Sequence, residues 1–240
     1  MRPPRASDAE ELRKRLTGAL LSHGQKDRFQ RLAWVLDEVT PENWRDLWHE
    51  YIRLTLNDGR VHEQEWQFFM NRVGEVAGPE AIAFFETNGQ SEFTFNRREV
   101  LRGWSAVDPS GAAAWLESQS ENSPNQGLWP TLVGSVAETN PEAALSIVNR
   151  LSPDGQKRVV DPMVDSLIQL EGIHGAIRRL EGLVNGLPEG SGMPTMLTFY
   201  YDSLRARAGR MEWLGNAYPE FDRPKPNLEN LAPFFESREE

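Results

Sequence analysis

Apolar residues recur along this chain at intervals of 32 residues. Alanine forms one such set, and larger apolar residues form two others. The alanines are Ala112, Ala144, Ala176 and Ala208; the larger residues are Val100, Leu132, Val164 and Met196, and then Trp104, Val136, Ile168 and Tyr200. A period of roughly 20 to 50 residues is typical of repeat architectures, in which each unit buries an apolar face of its neighbour. The pattern therefore predicts a chain of repeated structural units.

The spacing inside one unit predicts a pair of helices. Within each unit the two large apolar residues, such as Val100 and Trp104, stand four positions apart, so they fall on one face of an α-helix. Proline suits the first position of a helix and marks the expected starts. They are Pro130, Pro162 (with Asp161 as its cap) and Pro194 for the first helix, and Thr40-Pro41, Gly78-Pro79, Asp108-Pro109 and Asn140-Pro141 for the second. Ile173 takes the proline position in the next unit.

The first half of the chain is helical but less regular. Ser7 and Glu10 form a capping box that opens a helix. Three further helices are predicted from their apolar stripes: Phe29, Leu32, Ala33 and Leu36; Trp44, Leu47, Trp48 and Tyr51; Trp66, Phe69, Met70 and Val73. Asn57-Asp58-Gly59 ends the third helix of this half. No alternating β-branched run indicates a strand. The sequence predicts an all-α solenoid of about six antiparallel helical pairs.

We expect a single helical-repeat domain over residues 1–218. Residues 1–60 supply the irregular N-terminal helices and 61–218 the regular repeats. Residues 219–240 form a tail that is rich in proline. Its apolar side chains, Leu228, Leu231, Phe234 and Phe235, predict a cap that covers the end of the last unit; the alternative is a short linear motif offered to another protein.

The charge balance argues against two classes of partner. A net charge of −10 repels nucleic acid and anionic lipid, which bind to clustered Lys and Arg. No apolar run reaches the length of about 20 residues that a membrane helix needs. The chain contains no cysteine, which excludes disulfides and thiolate sites. We expect a cytoplasmic protein, with a periplasmic or exported one left open if a leader was removed.

No constellation of residues predicts catalysis, a metal or a cofactor. The four histidines lack the i, i+4 spacing of a zinc-binding helix. His62 with Glu63 and Glu65 comes nearest to a site, but acidic residues in a first helical turn are explained by the helix dipole. His49 is interpreted as a surface residue. The sequence therefore favours a protein that is not an enzyme.

The segment Leu101–Leu116, L-R-G-W-S-A-V-D-P-S-G-A-A-A-W-L, resembles a helical-pair repeat of bacterial proteins with the pattern W-x-x-x-D-P-x-x-A-x-x-W-L. The resemblance covers about residues 60 to 215 and extends loosely to the tetratricopeptide class. The period is 32 rather than about 34 residues, and the Leu-Gly and Tyr positions of tetratricopeptide units are absent. The resemblance implies a right-handed α-solenoid whose curved surface presents side chains to another protein.

These observations predict a protein–protein interaction scaffold or adaptor. Its partner-binding surface would consist of polar residues off the apolar stripes of successive first helices. They are Arg98, Arg102, Thr131, Asp165, Gln169, Thr195, Thr198 and Asp202. Two alternatives stay open: a regulatory or inhibitory subunit of a larger bacterial system, and a carbohydrate-processing enzyme on a helical toroid with a carboxylate pair.

Overall fold

A computed structural model describes residues 4–58, 63–87, 94–188, 194–217 and 226–236 of the protein. Within these ranges the backbone forms 11 α-helices, one short 3-10 helix (Pro124–Leu128) and no strand, which confirms the all-α prediction there. The helices are α1 (Ala9–Leu20), α2 (Gln25–Leu36), α3 (Trp44–Asp58), α4 (Glu63–Thr87), α5 (Thr94–Val107), α6 (Pro109–Glu117), α7 (Trp129–Thr139), α8 (Pro141–Arg150), α9 (Pro153–Asn185), α10 (Thr195–Ala217) and α11 (Ala232–Glu236).

Contacts between residues divide the chain into two compact units, Met1–Ala112 and Ala113–Glu240. In the first unit α1 packs against α2 and α3, α2 packs against α4, and α4 packs against α5. In the second unit α7 packs against α8 and α9, and α9 packs against α8 and α10. None of the described helices is long and apolar enough to cross a lipid bilayer.

Two of the predicted helix starts are capped as the sequence indicates. The Asn140 side chain accepts a hydrogen bond from the Ala143 N–H at 3.0 Å, and α8 begins at the next residue, Pro141. The Asp108 carboxylate accepts one from the Gly111 N–H at 2.9 Å, and α6 begins at Pro109. Each side chain satisfies a backbone donor that the first helical turn leaves unpaired.

Two long helices break where the sequence predicts a new helix. In α4 the backbone leaves helical geometry at Ala77 (φ −147°, ψ 30°), just before Gly78-Pro79. In α9 it leaves helical geometry at Gly172 (φ 72°, ψ 168°), directly before Ile173. Both helices therefore consist of two segments, and the second segment of each begins close to the predicted position.

Three predicted helix starts were wrong in position. Pro162 lies inside α9, because this helix begins earlier, with Ser152 as its cap and Pro153 as its first residue. The Asp161 carboxylate does not cap a helix but accepts a hydrogen bond from the Ser203 hydroxyl. The first helix is capped by Asp8 rather than Ser7: the Asp8 carboxylate accepts the Glu11 N–H at 2.9 Å. The third begins at Trp44, since residues 41–43 form a turn.

The apolar sets found in the sequence are mostly core residues. Buried members are Ala112, Ala144 and Ala176; Val100, Leu132, Val164 and Met196; and Trp104, Val136 and Tyr200. Ala208 and Ile168 are only half-buried. Burial of large apolar side chains is the main favourable contribution to folding, so these sets identify positions that stabilise both units.

Candidate functional site

An open apolar groove lies between α2 and α4 in the first unit. Its volume is about 570 Å³, which is within the range of small binding pockets. From α2 it is lined by Phe29, Leu32, Ala33 and Leu36, and from α4 by Gln64, Gln67 and Phe68. The α2 residues follow the i, i+3, i+4, i+7 spacing of one helix face. These residues are the stripe from which the sequence predicted the second helix.

Phe68 is an exposed large apolar side chain of the groove, with 52% of its surface accessible. Its ring meets the Phe29 ring edge to face, with the ring centroids 5.7 Å apart. This contact holds the two aromatic rings in a geometry that their quadrupoles favour. An aromatic ring held in this way presents apolar surface to a partner at a small cost in side-chain entropy.

Polar contacts join α2 and α4 beyond both ends of the groove. At one end the Arg28 Nε and the Glu65 Oε1 are 2.8 Å apart, and only 3% of Glu65 is exposed. At the other end the Arg72 Nε donates to the Leu36 carbonyl at 3.0 Å, near the C-terminal end of α2. A cation is favourable there, because helix C-termini carry partial negative charge. The two contacts join α2 and α4 on either side of Phe29 and Phe68.

A second, polar recess of about 400 Å³ adjoins the groove and shares Leu36 and Phe68 with it. Charged residues of both signs line this recess: Arg5, Asp37, Arg72 and Glu75. Arg72 Nη1 and Glu75 Oε2 are 2.7 Å apart on the same helix. The groove therefore has an apolar floor and a charged rim at one end, which is the usual composition of a protein interface.

The predicted partner-binding residues lie in both units. On α5, Arg98 and Arg102 are exposed, and Arg102 Nη1 lies 3.7 Å from Glu99 Oε2. The other predicted residues belong to the second unit: Thr131 on α7, Asp165 and Gln169 on α9, and Thr195, Thr198 and Asp202 on α10. Thr131 and Thr198 are half-buried and the remainder of this group is exposed.

Asp165 has an intramolecular role that its sequence position did not reveal. Its carboxylate lies 2.6 Å from the Nε of Arg207 on α10, and Arg207 Nη1 also lies 3.0 Å from the carboxylate of Asp161. The Ser203 hydroxyl, followed by Arg207, holds the pKa of Asp161 below its ordinary value. A single guanidinium therefore joins α10 to two acids on α9.

Of the histidine-containing candidates, the structure describes Glu63, Glu65 and His49. His62 lies outside the described residues. Glu63 and Glu65 lie in the first turn of α4, as predicted; Glu63 is exposed and Glu65 is buried against Arg28. His49 is exposed on α3, as predicted. Among the residues that the structure describes, no group of three or more His, Asp or Glu side chains is placed to hold a metal ion.

Glu99 is a buried carboxyl group on α5, with 3% of its surface exposed. Burial raises the pKa of Glu99 above its ordinary value of 4.5. The nearby Arg102 and Arg98 and a hydrogen bond with Asn71 oppose this effect only in part. Glu99 Oε2 and the Oδ1 of the adjacent Asn71 are both buried without a hydrogen-bond partner. A neutral side chain that can donate a hydrogen bond suits this position better than a carboxylate.

We therefore expect Glu99→Gln to stabilise the protein by about 1 kcal/mol at pH 7, because an amide can donate to Asn71. The native pKa of Glu99 lies above the unfolded value, so the native state binds more protons between the two values. Stability of the wild-type chain then falls as the pH rises through that window, and the variant lacks this component. Melting temperatures at pH 5 and pH 8 measure both effects. The matched control is Glu138→Gln at an exposed position; equal responses of the two variants would contradict the prediction.

No protein-family model, curated protein or solved structure matches this chain.

Proposed function

We propose that this protein is a non-enzymatic protein-binding scaffold or adaptor, and that the groove between α2 and α4 receives an amphipathic helix of its partner. The observation that carries the proposal is the open apolar groove with Phe68 exposed at its edge. Exposed apolar surface is costly in water, and a groove rimmed by polar residues is typical of an interaction site. The groove lies between the facing side chains of α2 and α4, so apolar side chains of a helix laid along it could insert there.

The lining of the groove favours a helix over an extended peptide. An extended peptide gains affinity mainly from backbone hydrogen bonds to a sheet edge, and the described part of the chain has no strand. A helix docks by inserting side chains spaced i, i+3, i+4 and i+7 between facing stripes of apolar residues. The stripe Phe29 to Leu36 on α2 supplies one wall, and Gln64, Gln67 and Phe68 on α4 supply the other.

We further infer that the helical pairs stack into a right-handed solenoid of about six antiparallel pairs, with a single repeat domain over residues 1–218. Support comes from the spacing of the second helices, which begin after Ala77, at Pro109, at Pro141 and after Gly172. On such a solenoid the polar residues of successive first helices, Arg98 to Asp202, would line one surface. That surface would extend the contact area beyond the groove.

Phe68→Asp is expected to lower the amount of bound partner at least tenfold, because it places a charge where the partner helix buries apolar side chains. The measurement is affinity capture from lysate of the source organism, with captured proteins compared quantitatively between wild type and variants. Val107→Asp is the matched control, since Val107 on α5 is similarly exposed at 58%.

The proposal requires a protein that wild type and Val107→Asp capture equally and Phe68→Asp does not. Circular dichroism and melting temperature establish that all three chains are folded. If Phe68→Asp retains every protein captured by the wild type, the groove does not bind a partner. If both variants lose the same proteins, the loss reflects added negative charge rather than the groove.

A further inference from the structure

The C-terminal residues 226–236 fold onto α10 in the second unit. Leu228 and Leu231 are buried, and the Phe235 ring stacks on the Tyr201 ring, with centroids 4.1 Å apart and planes inclined by 14°. Phe234, the next aromatic residue, is 46% exposed. The segment therefore contacts its own chain through Leu228, Leu231 and Phe235 and leaves the large aromatic side chain of Phe234 in solvent.

Tyr201 points in a different direction from Tyr200, its neighbour on α10, which contacts α9. The neighbouring Tyr200 donates its hydroxyl to the Ala176 carbonyl at 3.1 Å and is fully buried. Successive residues of a helix point about 100° apart, so Tyr201 does not share that direction. Leu197 and Leu204 lie one turn before and after Tyr201 and are also buried. Together, Leu197, Tyr201 and Leu204 form a second apolar stripe on α10, and Phe235 covers its centre.

The segment has little structure of its own to hold it in place. Helix α11 has five residues, and helices of this length are not stable in isolation. Chain termini stay ordered only where side chains tie them down. The position of residues 226–236 therefore depends on a few docked side chains, and such regions open locally at much lower free energy than a helical core.

We propose that the Tyr201 side of α10 is a docking site for the C-terminal segment, and that this site accepts the segment from a second copy of the chain as well as from its own. The same side chains make the same contacts in either arrangement, so exchange needs no new interface. The local concentration of the attached segment favours the intramolecular arrangement, and high protein concentration favours exchange.

The test is binding of a fluorescein-labelled peptide of residues 226–240 to the full-length chain, followed by fluorescence anisotropy. In the wild type the attached segment competes with the peptide and raises its apparent Kd. Phe235→Ala weakens the attached segment, so this variant is expected to bind the peptide at least tenfold more tightly. Phe234→Ala is the matched control and is expected to behave like the wild type. A peptide with alanine in place of Phe235 is expected not to bind.

Equal binding of the peptide to the wild type and Phe235→Ala, or no binding to either, would overturn the docking site. A measurement without any substitution checks the same point: excess unlabelled peptide is expected to speed hydrogen exchange of residues 226–236 in the wild type. Unchanged exchange would show that the segment is not displaced. The second copy is tested by light scattering at rising concentration; a wild-type chain that stays monomeric up to millimolar concentration would overturn exchange between copies.

Discussion

Alanine in place of Gly74 or Gly103 is expected to destabilise the first unit by about 2–3 kcal/mol, because each change forces α4 and α5 apart. A Cβ atom at Gly103 would lie 1.8 Å from the Asn71 carbonyl oxygen, and one at Gly74 would lie 2.1 Å from the Val100 carbonyl oxygen. Both clashes are with backbone, which cannot move aside by a change of rotamer. The two helices must separate, and their packed side chains lose contact.

Thermal unfolding followed by circular dichroism measures this loss. A change of this size lowers the melting temperature by roughly 5–10 °C for a chain of this length. Gly18→Ala on α1 is the control in the same unit, because no atom lies within 4 Å of a Cβ added there. That substitution is expected to raise stability by about 0.5–1 kcal/mol, since alanine is the better helix former.

The double variant Gly74→Ala/Gly103→Ala distinguishes a helix contact from two separate defects. Once the first alanine has separated α4 from α5, the second meets less resistance, so its added cost is expected to be smaller than its cost alone. Strict additivity would indicate that the two glycines do not share one contact. Melting temperatures equal to that of the wild type would contradict the close approach of the helices altogether.

The close approach of α4 and α5 also explains why a tryptophan fits in the repeated apolar set. A Cβ at Gly78 would lie 2.4 Å from Cγ of Trp104, so the indole ring packs directly on the bare backbone of Gly78. The period of 32 residues identified Trp104 as a core position, but it gave no reason for the size of the side chain. The missing information was the glycine opposite, which belongs to another helix.

Local chemistry explains which helix starts the sequence predicted well. Asn140-Pro141 and Asp108-Pro109 were found because the capping side chain and the proline act within one turn. Pro162 was misplaced because Ser152 and Pro153 provide the same signals earlier in the chain, and the helix that starts there continues past it. A capping residue followed by proline can therefore occur inside a helix that has already begun, so this signal alone does not decide where a helix starts.

The groove between α2 and α4 depends on distances that no sequence pattern contains. Phe29 and Leu36 have the spacing of a core stripe, and only the separation of α2 from α4 leaves them beside open space. Arg28 on α2 pairs with Glu65 on α4, and the sequence identified Glu65 only as an acid of a first helical turn. The pairing of an arginine and a glutamate on different helices is a tertiary feature, so neither residue could reveal it alone.

Replacement of Gly172 by alanine is expected to destabilise the second unit by about 2–3 kcal/mol through the backbone alone. Among the described residues Gly172 is the only one with a positive φ, and its φ of 72° with ψ of 168° lies in a region that is essentially restricted to glycine. This conformation separates the two segments of α9. An alanine would either adopt a strained conformation or extend the first segment as a helix and displace Ile173 from the core.

Gly182→Ala is a matched control, because Gly182 lies in the second segment of α9 and no atom lies within 4 Å of an added Cβ at either glycine. The two variants therefore differ only in backbone conformation, and Gly182→Ala is expected to raise the melting temperature slightly. Gly172→Asn extends the test: asparagine tolerates the left-handed helical region near ψ of about 45°, but not a ψ near 170°. The melting temperature of Gly172→Asn is therefore expected to be no higher than that of Gly172→Ala. Equal melting temperatures for Gly172→Ala and Gly182→Ala would show that the chain does not need the break at Gly172.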